Sequence, residues 1–479
     1  MQQKTTANEI APRISTSRGL LVLGIGLTLW FLPAPNGLSP EAMHLVAIFV
    51  ATIVGLIVQP LPQGAVVLMG VTATALTGTL PVREALTGFA DPTVWLIVIA
   101  FLFARGFIKT GLGRRIAYLA VSRIGKSTLG LGYALTLADL AIAPATPSNT
   151  ARAGGILFPI VRSLASCLGS EPGPTARRAG AFLIFNQFQI NLVTSALFLT
   201  GVAPNAMIVR LAQDSFEYSI SWLGWFWAAL LPAGISLLIL PPLIFWQLRP
   251  ELKETHEAAS LARTELGRMG AFGGMEKKMS LIFLITLSLW ATSQWSGFSA
   301  TAVAFLAVSF LLVTGVLSWR DILSESGAWD ALVWFGGLVS LAAGLGKLGV
   351  IQYLADFLGL HLGEIHSWIP GFILLILAYV YLHYFVASMT AHATAFYVPF
   401  GLVAIGIGTP VPLALMVLGF MNSLNAAMTH YGTGPAPIYF GAGYIDQATW
   451  WKTGLLISLV TVTIWLSVGA LWWKIIGLW

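Results

Sequence analysis

The chain has 479 residues, of which 57% are hydrophobic and 9% charged, with a mean hydropathy of +0.82. A soluble domain carries about a quarter charged residues, so the composition excludes that class and points to an all-α polytopic membrane protein; the short alternating segments of a β-barrel are not seen. The net charge of +6 reads as basic loops that orient membrane spans rather than as a nucleic-acid surface, and the single cysteine, Cys167, excludes an internal disulfide and any cysteine-based metal site.

In chain order, residues 1–18 are polar and mildly basic, too mixed for a transit peptide, and are expected to form a cytoplasmic N-terminal segment. Apolar runs follow at about 19–33, 41–59, 64–80 and 93–108. Residues 109–126 then carry Lys109, Arg114, Arg115, Arg123 and Lys126 without an acid, which the positive-inside bias places in the cytoplasm. The apolar stretch 128–166 is broken near its middle by Ser148-Asn149-Thr150. Each half is marginal for a full crossing, so a re-entrant hairpin is as natural as two helices. Further runs at 179–200 and 222–246 complete a first half, 19–246.

The hydrophilic residues 247–279 are expected to be a solvated cytoplasmic loop, followed by a second half, 280–479. Its apolar runs lie at 280–295, 298–317, 330–346, 411–430 and 453–476, making eleven expected spans in all. A second broken stretch, about 366–407, has Ser388-Met389-Thr390 at its tip. The segment 347–366 sets Lys347 against Asp356 and Glu364 and is expected outside.

The halves resemble each other. Ser148 and Ser388, Thr150 and Thr390, Ala151 and Ala391, and Pro159 and Pro399 pair at an offset of 240, while Asn191 and Pro204 pair with Asn422 and Pro435 at 231. With the loop charges, the repeats are expected to be inverted, and inverted repeats with helices broken at mid-membrane are the sequence mark of secondary transporters.

Two helix N-termini meeting at the midplane offer oriented N–H donors and partial positive charge, suited to a carboxylate. Ser148, Asn149, Thr150, Ser388 and Thr390 add hydroxyl and amide groups, although simple helix capping is also open to them. The segments around Thr200-Gly201 and Thr433-Gly434-Pro435 read as unwound loops beside the tips. Arg152 and His392 occupy equivalent positions after the two tips and are candidates to compensate a dianion's charge. A fixed positive charge would hinder the empty carrier and favour obligate exchange; a structural ion pair for Arg152 and a neutral packed His392 remain the alternatives.

The acidic residues read as mostly scattered through loops, which argues against a metal-dependent enzyme, and no cofactor is expected. His430 could line the cavity. Trp222, Trp225, Trp227, Trp450, Trp451, Trp472 and Trp473 are expected to form an aromatic belt, and Lys109 and Lys347 to snorkel at the interface.

The stretches "GFADPTVWLIVIAFLFARGFIKTGLGRRIAY" and "PSNTARAGGILFPI" resemble the divalent anion/sodium symporter family, most closely its exchanger branch. The resemblance implies a homodimer with eleven spans, two re-entrant hairpins in each chain, and an elevator-like motion; with no transit peptide evident, a bacterial inner membrane is the expected location. It further implies that Ser148, Asn149, Thr150, Ser388 and Thr390, with Met389 and the loops Thr200-Gly201 and Thr433-Gly434-Pro435, contact a di- or tricarboxylate. Sodium-coupled members keep Ser-Asn-Thr at both tips. Here Met389 stands in the second, a poor ligand for a hard cation, and Pro144 and Tyr384 lie just upstream of the tips. Sodium-independent exchange is therefore expected, with a sodium-coupled dicarboxylate symporter as the alternative.

Overall fold

The computed structural model describes residues 16–361 and 367–479; most of the expected N-terminal segment, and Glu364 and His366, lie outside the described residues. Among the described residues every regular element is helical, and the one β pairing is an isolated bridge between Ser127 and Glu254.

Each of the eleven apolar runs coincides with a helix. Among the described residues eight helices are long and apolar enough to cross a membrane, but three of these are arms of the broken stretches: Thr128–Ala145, Trp368–Phe385 and Met389–Gly406. Several expected spans are shorter, such as Gln63–Leu76 and Ala300–Val313 at 14 residues each. The helix Gly180–Leu197 has the length, but it carries Asn186, Gln187, Gln189 and Asn191, all buried within protein.

Local chemistry sets the boundaries. Ser39 and Asp91 cap Pro40–Val58 and Pro92–Thr110, each with proline at the start, where its missing N–H costs nothing. Gly111, at φ +74°, ends the second of these in the left-handed region that suits glycine.

Helix order recurs along the chain. Gln63–Leu76, Val82–Ala85, Pro92–Thr110 and Leu112–Ile124 precede the first broken stretch, as Ala300–Val313, Trp319–Ser324, Ser326–Lys347 and Val350–His361 precede the second. Two ion pairs cross between these series reciprocally: Lys109 with Asp321 at 2.6 Å, and Lys347 with Glu84 at 2.5 Å. Both lysines, expected to snorkel, are thus held by acids.

The chain divides into two compact units. The first, residues 1–89 and 333–353, packs Thr16–Trp30 on Pro40–Val58, with Trp30 stacked on His44 at 3.8 Å. The second, residues 90–332 and 354–479, contains both broken stretches.

Each broken stretch descends as a helix, tightens into a 3₁₀ turn and opens into extended backbone before the tip. The turns, Ala143–Ala145 and His383–Phe385, lie 240 residues apart, and the extended residues are Thr146 and Val386. Ser388 caps the regular helix Met389–Gly406. After the first tip the chain instead forms a wide π turn, Ala151–Leu157, before Phe158–Cys167. Such bulges in helices often accompany function.

Residues 247–279 are not a solvated loop. They contain the helix His256–Arg268, which buries Ala258, Ala259 and Ala262. Their first part is strapped to the base of the first broken stretch: Thr128 N–H donates to the Lys253 carbonyl (3.0 Å) and Thr255 N–H to that of Lys126 (2.8 Å). At the far end Arg115 donates to Glu276 at 2.6 Å and to the carbonyls of Met269 and Gly270. Burial alone would raise the Glu276 carboxyl, but these bonds from Arg115 and the Gly273 N–H hold it below its ordinary value. Most of the charged side chains, among them Lys253, Arg263, Lys277 and Lys278, are exposed as expected, but Thr255 and Glu276 are buried and tie the segment to the helices around it.

The tryptophans also depart from a simple belt. Trp225, Trp450 and Trp473 are fully buried and Trp222 nearly so; the Trp225 and Trp473 indoles donate to the carbonyls of Ala196 and Ala228. Once its N–H has a partner, an indole packs in a core.

Candidate functional site at the meeting of two broken helices

The two tips touch. Asn149 Nδ2 lies 2.9 Å from the Thr433 hydroxyl, to which it donates, and 3.9 Å from the Met389 sulfur, while the Thr433 hydroxyl donates to that sulfur at 3.3 Å. First tip, second tip and second unwound loop therefore share one point. Asn149, Met389 and Thr433 are buried, whereas Ser148 and Thr150 are half-buried and Gly434 is exposed, so the cluster opens on the first tip's side. Gly434 is there for space: a Cβ at that position would stand 2.0 Å from Thr150 Oγ1.

Both tip serines accept from the backbone three residues on, Ser148 from Ala151 N–H at 3.1 Å and Ser388 from Ala391 N–H at 3.3 Å. They act as caps here, and the Ser148 hydroxyl keeps one lone pair and its hydrogen for another partner. Thr390 is buried, and its carbonyl accepts from Thr394 Oγ1. Pro435 opens the short helix Pro435–Gly441.

The other expected loop is differently employed. Thr200 Oγ1 donates to the Pro144 carbonyl (2.7 Å) and accepts from the Trp222 indole (3.2 Å), with no exposure. The Gly201 carbonyl accepts from Arg152. In this structure Thr200 and Gly201 brace the first hairpin, and the groups gathered at the tips come from elsewhere.

Arg152 corrects the sequence reading most plainly. It is not a free charge facing the tips but half of a fully buried ion pair with Asp139, Nε to Oδ1 at 2.7 Å. Nη1 donates to the carbonyls of Thr146 (2.8 Å) and Gly201 (2.7 Å), and Nη2 to Ser195 Oγ (2.8 Å). Asp139 also accepts from Gln187 at 2.6 Å, Thr194 at 2.9 Å and Asn191 at 3.1 Å. A charge inside a membrane protein is retained when paired and hydrogen-bonded in this way. Asp139 escaped the sequence reading, although a lone acid in the apolar run "LTLADLAI" is a signal in itself.

His392 lies in an aromatic enclosure, its ring centroid 4.5 Å from Tyr379, 5.0 Å from His383 and 5.0 Å from Phe396. Neither ring nitrogen has a hydrogen-bond partner among the described residues. His383 Nε2 lies 2.8 Å from the Gly432 carbonyl, which makes that nitrogen the protonated one. His430, a candidate for the cavity wall, instead accepts from the Trp451 indole at 2.9 Å.

The hairpins also interlock across the halves. Tyr439 Oη donates to the Ala153 carbonyl at 3.0 Å beside Gly154 and Ile438, and Thr394 approaches Met207 at 3.1 Å. Gly154 and Thr394 correspond at an offset of 240, Met207 and Ile438 at 231, so each tip helix rests on the other half's broken helix.

A family model for the sodium:sulfate symporter transmembrane region matches residues 15–479. The chain is 48% identical over 461 residues to the putative malate transporter YflS of Bacillus subtilis, covering 96% of each. It is 45% identical to the chloroplastic dicarboxylate transporter 1 of Arabidopsis thaliana, covering 96% of this chain and 83% of that one. The structure superposes on the Alcanivorax borkumensis YdaH transporter with a TM-score of 0.59 at 15% identity, covering 96% and 98%, a likeness of fold alone.

Proposed function

The chain belongs to the sodium:sulfate symporter family, and we propose that it exchanges di- and tricarboxylates of the malate, succinate, 2-oxoglutarate and citrate class across a bacterial inner membrane. It is a transporter, not an enzyme. The observation that carries the reading is the contact of Asn149 with Thr433 and Met389, which brings both tips and an unwound loop to one uncharged, donor-rich point. Helix N-termini and the Ser148, Asn149, Thr150 and Ser388 donors suit a carboxylate there. The malate and dicarboxylate named for the relatives fit that chemistry.

Sodium-independent exchange is supported by Arg152. Its Nη1 joins the carbonyl of Thr146, beside the tip, to that of Gly201 in the loop, work that a bound cation would otherwise perform. Met389 offers a soft thioether where an oxygen ligand would serve sodium. With Arg152 neutralised by Asp139, the compensating charge for a bound dianion falls to the helix termini and to a proton on His392. Sodium-coupled symport is the second reading, favoured by the family's own description. An elevator motion of inverted repeats within a homodimer completes the proposal; the recurring helix order supports its repeat element.

The test is competition for labelled malate uptake in proteoliposomes. Asn149→Ala and Thr433→Val should each weaken apparent affinity about tenfold or more while the protein remains folded, the loss of a hydrogen bond to a charged group. Unchanged kinetics in both would overturn the two-tip site.

A further inference from the structure

The transport reading above uses the buried carboxylate of Asp139 only to neutralise Arg152, yet it lies one helical turn and one guanidinium from the tip. Arg152 N–H donates to the Ser148 carbonyl at 2.9 Å, and the same residue's side chain pairs with Asp139. Ser148, Asn149, Thr150, Met389, Thr433 and Gly434 carry no charge. The charge felt by an anion at the tips therefore depends on whether the Arg152 guanidinium is cancelled.

Four donors converge on the Asp139 carboxylate: Arg152 Nε and Thr194 Oγ1 on Oδ1, Gln187 Nε2 and Asn191 Nδ2 on Oδ2. Neither oxygen of this fully buried carboxylate is left without a donor. A clamp for the hairpin would not require this. The second half holds its equivalent carbonyl, that of Gly432, with an imidazole, His383, rather than a guanidinium.

We propose that Asp139 is a specificity-determining residue that sets the charge selectivity of the carboxylate site: by cancelling Arg152 it leaves the tips without net fixed charge, which favours dianions over trianions. The proposal rests on the carboxylate-transport reading. It differs from a purely structural role because selectivity should follow the net charge of the pair rather than its integrity.

The experiment measures dissociation constants of malate, a dianion, and citrate, a trianion, at pH 8 in detergent. Asp139→Asn adds one positive charge and should shift the citrate-to-malate preference toward citrate by roughly tenfold, the size of a unit charge acting at this range in a protein interior. Arg152→Gln should shift it the opposite way. The isosteric double variant, neutral again, should return the ratio to within about threefold of wild type on the same scale. Where breaking the pair prevents folding, Ser195→Asp places a negative charge at the position whose hydroxyl now lies 2.8 Å from Arg152 Nη2, with the pair intact, and should shift the ratio toward malate. A ratio that stays constant in the folded single variants and in Ser195→Asp, or moves the same way for added and removed charge, overturns the proposal. Malate uptake by the wild type tests the transport reading separately: its absence defeats that reading, whereas uptake with a constant ratio defeats only the role of Asp139.

Discussion

Asp139 and Arg152 meet at 2.7 Å in the first half; 240 residues on, Tyr379 and His392 occupy the corresponding positions and meet as rings 4.5 Å apart. Around both pairs the backbone does the same things. A 3₁₀ turn precedes each tip, a serine caps the helix after it, and the carbonyl of Gly201 or Gly432 receives a hydrogen bond from its own hairpin, from Arg152 in one half and His383 in the other. One frame thus supports a buried ion pair whose carboxylate has a donor on each oxygen in one half, and in the other an aromatic enclosure whose His392 nitrogens have no partner among the described residues. The first half carries its cation within itself. The second has an imidazole, that of His392, with no hydrogen-bond partner among the described residues.

The largest test of that contrast is to remove one charge. Arg152→Ala leaves Asp139 buried without its cation, and a broken buried pair costs about 3–5 kcal/mol. Tyr379→Phe, at Asp139's counterpart, removes a hydroxyl without a partner among the described residues and should change stability by less than about 1 kcal/mol. Thermal unfolding in detergent compares the two; equal losses would mean the halves are not built differently.

Next is Gly434→Ala, whose Cβ would meet Thr150 Oγ1 and force the second loop from the first tip. Transport should fall at least about tenfold, as expected when positioning groups shift by an ångström. Retained malate affinity and rate would show that the close approach is dispensable.

His392→Gln sharpens the comparison from the other half. If His392 gains a proton with the bound dianion, wild-type exchange declines as pH rises and deprotonates the imidazole, and the variant should be slower and lose that decline. A variant with an unaltered pH profile would remove His392 from the account. The smallest effect is expected at the periphery. Lys109→Ala and Lys347→Ala each break a partly exposed ion pair and should cost about 0.2–1 kcal/mol in thermal stability.

The sequence is informative where the chain must interrupt itself. Ser148-Asn149-Thr150 and Ser388-Met389-Thr390 mark both breaks because polar caps between apolar runs have few other uses in lipid, and their spacing exposes the repeat. Contacts between distant segments are less legible. That Asn149 reaches Thr433 rather than Thr200 depends on how the halves cross, which no local pattern encodes. Asp139 was concealed by its apolar neighbours, and its pairing with Arg152 spans a hairpin whose geometry sets the distance. Residues 247–279 read as loop because their charges outnumber the Ala258, Ala259 and Ala262 stripe that packs them down.

The account's central claim is that Arg152, bridging the Thr146 and Gly201 carbonyls, takes the place of a coordinated cation, so that this carrier exchanges anions without sodium. The direct measurement is uptake of labelled malate into proteoliposomes with or without internal unlabelled dicarboxylate, in sodium or potassium. Uptake that requires the internal anion and is equal in the two salts is the expected result. Accumulation in empty vesicles driven by a sodium gradient would contradict it, and would make Arg152 a brace for the hairpin beside a separate sodium site.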